Sequence, residues 1–257
     1  MSLLHPFRTA RRSRATAQPF PAAWEEILAR NFPLDARLSQ GDRVELRSRM
    51  QIFLAEKRFE GVGGLRMSDE VRVTIAAQAC LLVLGLDDED YPALRTILVY
   101  PSAYRARATE HGAFGMVTEI EQVRAGEAYN AETIVLSWDD VLNGGTGDGD
   151  GHNVVLHEFA HQLDMEDRTS NGAPLLADER MYAAWSRVLG HEYAQLQGAV
   201  EHHQRTLIDP YGSQSPAEFF AVATETFFEK PIQLRDDHAE LYGQLRDFYR
   251  QDPAKWR

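Results

Sequence analysis

Residues 153–164 read Asn-Val-Val-Leu-His157-Glu158-Phe-Ala-His161-Gln-Leu-Asp164, and how this stretch is read decides the fold. Val154, Val155, Leu156, Phe159, Ala160 and Leu163 are apolar, and an asparagine behind a glycine-rich loop supplies a helix start. In a helix, residues four apart project from one face, so His157 and His161 can bring two imidazole nitrogens to about 2.0–2.1 Å from one Zn²⁺. Glu158 then stands beside the ion rather than on it, where it can take a proton from water and pass it to a leaving amine. The plainer alternative is a core helix whose histidines are satisfied by carbonyls or water. Two stacked imidazoles and a carboxylate are costly to bury without a cation or a hydrogen-bond network, which favours the metal.

A catalytic zinc site has three protein ligands and one open position, so a third ligand is needed. It does not come from the extended metzincin pattern, because Asp164 stands where that pattern has glycine and Asp167 where it has histidine. The best downstream segment runs from Tyr211 to Phe228, where Ser215 as cap and Pro216 at the first position open an apolar helix. Glu218 and Glu225 fall on one face of that helix. Ser215-Pro-Ala-Glu218 also fits a capping box, in which Glu218 returns to the amide of its own cap. On the residues alone Glu218, Glu225, Asp209 and a histidine of the 191–203 region all remain open. His191-Glu192 does not start a second site, since Gln195 occupies the place of the second histidine.

Outward from the motif, apolar spacing predicts helices over 24–32 and 42–59, and Ser68-Asp69-Glu70 opens another that runs through Leu86. Residues 59–67, with Gly61, Gly63 and Gly64, read as a loop and not a phosphate cradle, because no strand–GxGxxG–helix sequence surrounds them. Thr96–Tyr100 and Thr133–Trp138 are β-branched and read as strands, with a short-stranded segment between them around 116–123. Val135–Trp138 is expected to be an edge strand on which an extended substrate could pair. Asn143–Gly151 reads as a flexible loop able to gate a cleft. Its Asp148 and Asp150 lack the later acidic positions of a calcium loop, so calcium is not expected.

The chain has 257 residues, 44% apolar and 26% charged, enough for a real core in one large domain or two small ones. A net charge of −12 argues against a nucleic-acid binder or a cationic membrane-surface protein. Residues 1–22 hold four arginines and no acid, and are expected to form a disordered basic tail, with no apolar segment behind them to make an export signal. The apolar run 74–86 is too short to span a membrane and reads as a core helix. The single cysteine, Cys80, excludes a disulfide framework and points to the cytoplasm.

At this point the chain resembles the Mlc titration factor A family, bacterial gluzincin-type zinc metallopeptidases similar also to the catalytic domain of anthrax lethal factor. The resemblance lies in Phe53-Leu-Ala-Glu-Lys-Arg-Phe59, Leu98-Val-Tyr-Pro101, Val135-Leu-Ser-Trp138, His157–Asp164, Tyr211 with Ser215-Pro-Ala-Glu218, and Asp247-Phe-Tyr-Arg-Gln-Asp-Pro253. It covers about residues 20–255 and leaves the Arg-rich start outside. It implies an α+β, mostly helical zincin-like fold with a small sheet beside the metal helix, and one catalytic domain over 23–257. It implies one zinc per chain held by His157, His161 and Glu218, with Glu158 as general base. Tyr211 is then placed to donate to the oxyanion, against the alternative of a plain turn tyrosine. Glu225 becomes the carboxylate that holds a ligand histidine. The implied activity is peptide-bond hydrolysis, aminopeptidase-like rather than endopeptidase. Binding to the transcriptional repressor Mlc is implied by the family's name, and the competing reading is a protein that sequesters a repressor around a structural zinc.

Overall fold

The computed structural model describes residues 5–86, 90–111, 117–124, 126–146 and 149–256. In chain order these form α1 (His5–Thr16), α2 (Ala22–Asn31), α3 (Gln40–Glu56), β1 (Arg58–Gly61), α4 (Asp69–Leu82), β2 (Thr96–Tyr100), β3 (Tyr104–His111), β4 (Val117–Arg124), β5 (Gly126–Asn130) and β6 (Thr133–Ser137). Then come α5 (Trp138–Gly145), α6 (Val154–Asp164), α7 (Met181–Glu201), α8 (Pro216–Glu229), α9 (Pro231–Asp237) and α10 (Ala239–Tyr249). One device opens five of the helices. Ser39, Ser68, Ser137, Asn153 and Ser215 each accept a hydrogen bond from the N–H three residues on, at the starts of α3, α4, α5, α6 and α8. Each such cap is worth about 1 kcal/mol.

The architecture is α+β and mostly helical. Its main sheet has the order β1-β2-β6-β5, with β1, β2 and β6 parallel and β5 antiparallel to β6. β3 and β4 form a separate antiparallel pair. Ile134, Val135 and Leu136 of β6 are consecutive buried residues, the pattern of a strand covered on both faces. α4 is buried along nearly its whole length, and α8 is buried from Phe219 to Phe228. Phe159 of α6 joins these layers, its ring 4.8 Å from that of Tyr91 and 5.8 Å from that of Phe53. α6 packs against β5 and β6 of the sheet and against α8.

Several sequence expectations are corrected. Residues 5–16 form a helix instead of a disordered tail, and Arg12 makes a bidentate pair with Glu56 of α3, at 2.6 and 3.1 Å. α3 stops at Glu56, short of the expected Phe59. The buried Lys57 Nζ donates to the carbonyls of Asp90, Tyr91 and Leu94, which ties the chain to the turn before β2 and starts β1. α4 ends at Leu82, four residues before Leu86. Trp138 belongs to α5 because Ser137 caps a helix there, so β6 ends one residue early. β6 is also interior, between β2 and β5, and is not the edge strand expected of it. Of the expected loop 143–151, the first three residues are helical, while Gly147 and Asp148 lie outside the described residues, as does Met116 of the segment between the strands. Among the described residues no helix is long and apolar enough to cross a membrane.

Candidate metal centre

α6 and α8 bring the candidate ligands together. His157 Nε2 lies 3.1 Å from Glu218 Oε2 and 3.2 Å from His161 Nε2, and His161 Nε2 lies 3.4 Å from the same carboxylate oxygen. Ligands at 2.0–2.1 Å from a tetrahedral ion stand about 3.3 Å from one another, so three atoms at these separations fit one cation. Among the described residues these three side chains form the group able to hold a metal.

The cap and the ligand use different atoms of Glu218. Its N–H donates to Ser215 Oγ at 3.1 Å while its carboxylate turns to the histidines, so the first half of a capping box forms and the second does not. The other candidates sit elsewhere. Asp209 pairs with His152 at 3.5 Å, His191 bonds Gln195, and His202 Nδ1 bonds the carbonyl of Gly198.

Burial opposes charging of His157, but hydrogen bonds to Glu218 and Glu225 outweigh it and hold its pKa well above the usual histidine value. Burial pushes the Glu218 carboxyl up, yet His157 and His161 together hold it at about 2.

Glu225 lies behind the ligands. Its Oε1 is 2.7 Å from His157 Nδ1 and its Oε2 accepts the N–H of Asn153 at 2.6 Å, so both oxygens of this buried carboxylate are fixed. Glu158 is buried one position past His157, and its charge adds to the pull that raises the imidazole pKa. Tyr211 sits on a short turn at 210–213, whose cap Asp209 accepts the Tyr211 N–H at 2.7 Å. The Tyr211 ring is half-exposed, its centroid 5.9 Å from that of His157.

Two residues near the centre had no role in the sequence reading. Asp164, at the end of α6, is fully buried and accepts the N–H groups of Gly172 and Ala173, each at 2.9 Å. Gly172 has φ +76°, and a Cβ there would lie 2.3 Å from the carbonyl oxygen of Pro216. This knot joins the end of the histidine helix to the start of the glutamate helix. The helical spacing of Asp164 gave no signal of it, because its partners are backbone groups of an irregular loop.

The family model for the glucose-regulated metallo-peptidase M90 matches residues 7–250, and so reaches into the Arg-rich start that the motif reading left outside. An uncharacterized protein of Synechocystis is 44% identical over 237 residues, 92% of this chain and 86% of its own. Mlc titration factor A of Yersinia pestis and of Yersinia pseudotuberculosis are each 32% identical over 235 residues, 90% of this chain and 85% of theirs.

Proposed function

The chain belongs to the glucose-regulated metallopeptidases M90, and from that premise we propose that it hydrolyses peptide bonds at a zinc ion held by His157, His161 and Glu218. The observation that carries the reading is the convergence of those three ligand atoms, with the buried Glu158 one residue past His157 and near enough for its charge to act on that imidazole. Two imidazoles and one carboxylate, with no thiolate, are a donor set of hydrolytic zinc. When bound, the ion would polarise the scissile carbonyl and make water more acidic. Glu158 takes the proton of the attacking water and delivers it to the leaving amine. The Tyr211 phenol donates to the negative charge that develops on the carbonyl oxygen. Glu225 holds His157 by Nδ1, which leaves Nε2 to the ligand position.

β5 stands at the edge of the main sheet beside α6, and an extended substrate adding to it would run along the metal helix. Release of amino-terminal residues is the specificity that accompanies the family resemblance. The single cysteine supports a reducing cytoplasm as the setting. The name of the Yersinia relatives supports a second reading, in which this chain binds a repressor of the Mlc type. A structural zinc is normally closed by four ligands, and three converge here, so hydrolysis and repressor binding are compatible.

The test is cleavage of a peptide library by the full chain, zinc-loaded and chelator-treated. The proposal expects cuts only in the loaded sample, with free amino termini one residue apart if the enzyme trims ends and at internal positions if it does not. Equal cleavage in both samples, or none in either, contradicts it.

A further inference from the structure

The sequence marks Asn153 only as a helix start, but the structure gives it more bonds than a cap needs. Its Oδ1 accepts the N–H of Leu156 at 3.0 Å, which is the capping bond. Its Nδ2 donates to the carbonyl of Gly144 at 2.9 Å and to Glu229 Oε1 at 3.2 Å. Its own N–H donates to Glu225 Oε2 at 2.6 Å. Glu225 and Glu229 are one turn apart on α8, so the buried Asn153 is clamped between two successive carboxylates of that helix and the end of α5. The fit depends on glycine, since a Cβ at Gly144 would lie 2.9 Å from Asn153 Cγ and 3.0 Å from its Cα.

Serine or aspartate would cap α6 as well as asparagine does. Neither carries the Nδ2 donor, and aspartate would set a negative charge against the carboxyl groups of Glu225 and Glu229. The choice of asparagine is thus explained by the bonds that face α5 and α8, not by the cap. Those bonds fix where the Asn153 N–H points, and that N–H holds one oxygen of the carboxylate whose other oxygen holds His157. We infer that Asn153 is a positioning residue for the metal centre, acting through Glu225 to fix the His157 imidazole with Nε2 toward Glu218 and His161. The inference rests on the reading of those three residues as metal ligands. Groups that orient a ligand histidine from behind change metal affinity by roughly 10–100-fold when removed.

The test is Zn²⁺ affinity of the full chain, measured by competition with a chelating dye. N153S keeps a capping acceptor and loses Nδ2; it is expected to bind Zn²⁺ about 10–100-fold more weakly. G144A displaces Asn153 without changing any bonding side chain, and should weaken binding in the same direction. E225A should lose affinity too, and N153S combined with E225A should bind within about twofold of E225A alone, because the two act in one line. Independent losses that multiply, or wild-type affinity in both N153S and G144A, overturn the inference. If N153S does not fold, N153T supplies the comparison, since threonine keeps a capping acceptor, lacks the donor and adds no charge. Wild-type affinity in H157A would instead overturn the ligand reading itself.

Discussion

Tyr211 is the exposed aromatic beside the cluster, its ring centroid 5.9 Å from that of His157 with the two planes at 54°. Its ring makes no part of the ligand trio, so its removal separates catalysis from metal binding. Tyr211→Phe is expected to keep one zinc per chain by elemental analysis and to lower kcat by about 100- to 1000-fold, the usual cost of losing an oxyanion donor. Unchanged kcat would return Tyr211 to a turn residue. At this scale the sequence was most legible where spacing alone sets geometry, as for His157 and His161, whose ring nitrogens meet at 3.2 Å. It was ambiguous at Glu218, because a cap uses the backbone N–H and a ligand would use the carboxylate, and here the N–H bonds Ser215 while the carboxylate faces the histidines. Asn153 and Asp164 were illegible as site residues, since Asn153 reaches carboxylates of α8 that are 72 and 76 residues on, and the partners of Asp164 are backbone groups of an irregular loop.

At the scale of elements, the site depends on how α6 is held against α8. The loop after α6 is fastened at both sides, by Asp164 to the N–H groups of Gly172 and Ala173 and by Trp185 Nε1, which donates to the Gly172 carbonyl at 2.9 Å. Gly172→Ala adds a Cβ against the Pro216 carbonyl and strains a left-handed backbone, and should lower stability by at least 1–3 kcal/mol, roughly the cost of that conformation alone. Denaturant unfolding reads this directly, and a loss below about 0.5 kcal/mol, the range of an ordinary surface substitution, would show that the loop is not fastened as described. Helix starts were legible because serine or asparagine caps announce them. Ends were not: α3 gives way to β1 at Lys57, whose three carbonyl partners lie in the turn before β2, and β6 gives way to α5 at Ser137. The order of the sheet was also hidden, since consecutive apolar residues in β6 identify a covered strand but not its neighbours.

Across the whole molecule the acid excess includes one carboxyl placed where ionisation is costly. Burial, with the charges of Asp150 and Glu225, pushes Glu229 up to about 7, against the hydrogen bond from Asn153. A carboxyl with a folded pKa of 7 and an unfolded value of 4.5 favours the fold fully below pH 4.5. That contribution is lost as pH rises toward 7, by up to about 3 kcal/mol. Glu229→Gln keeps an acceptor for Asn153 and does not titrate. Unfolding of the two proteins side by side should therefore show the variant gaining on wild type between pH 4.5 and 8; a constant difference would contradict the assignment. Charge segregation was visible in the composition, but its structural use was not. The basic start carries α1, and Arg12 reaches across to Glu56, a pairing with no local signature.

These scales meet at Glu158, buried one residue past His157, which the proposed chemistry cannot dispense with. The direct measurement is peptide cleavage by Glu158→Gln, with zinc counted in the same sample. The account predicts one zinc per chain, as in wild type, and a loss of cleavage of at least the roughly 100-fold that a general base contributes. One zinc per chain with cleavage at the wild-type rate would contradict it.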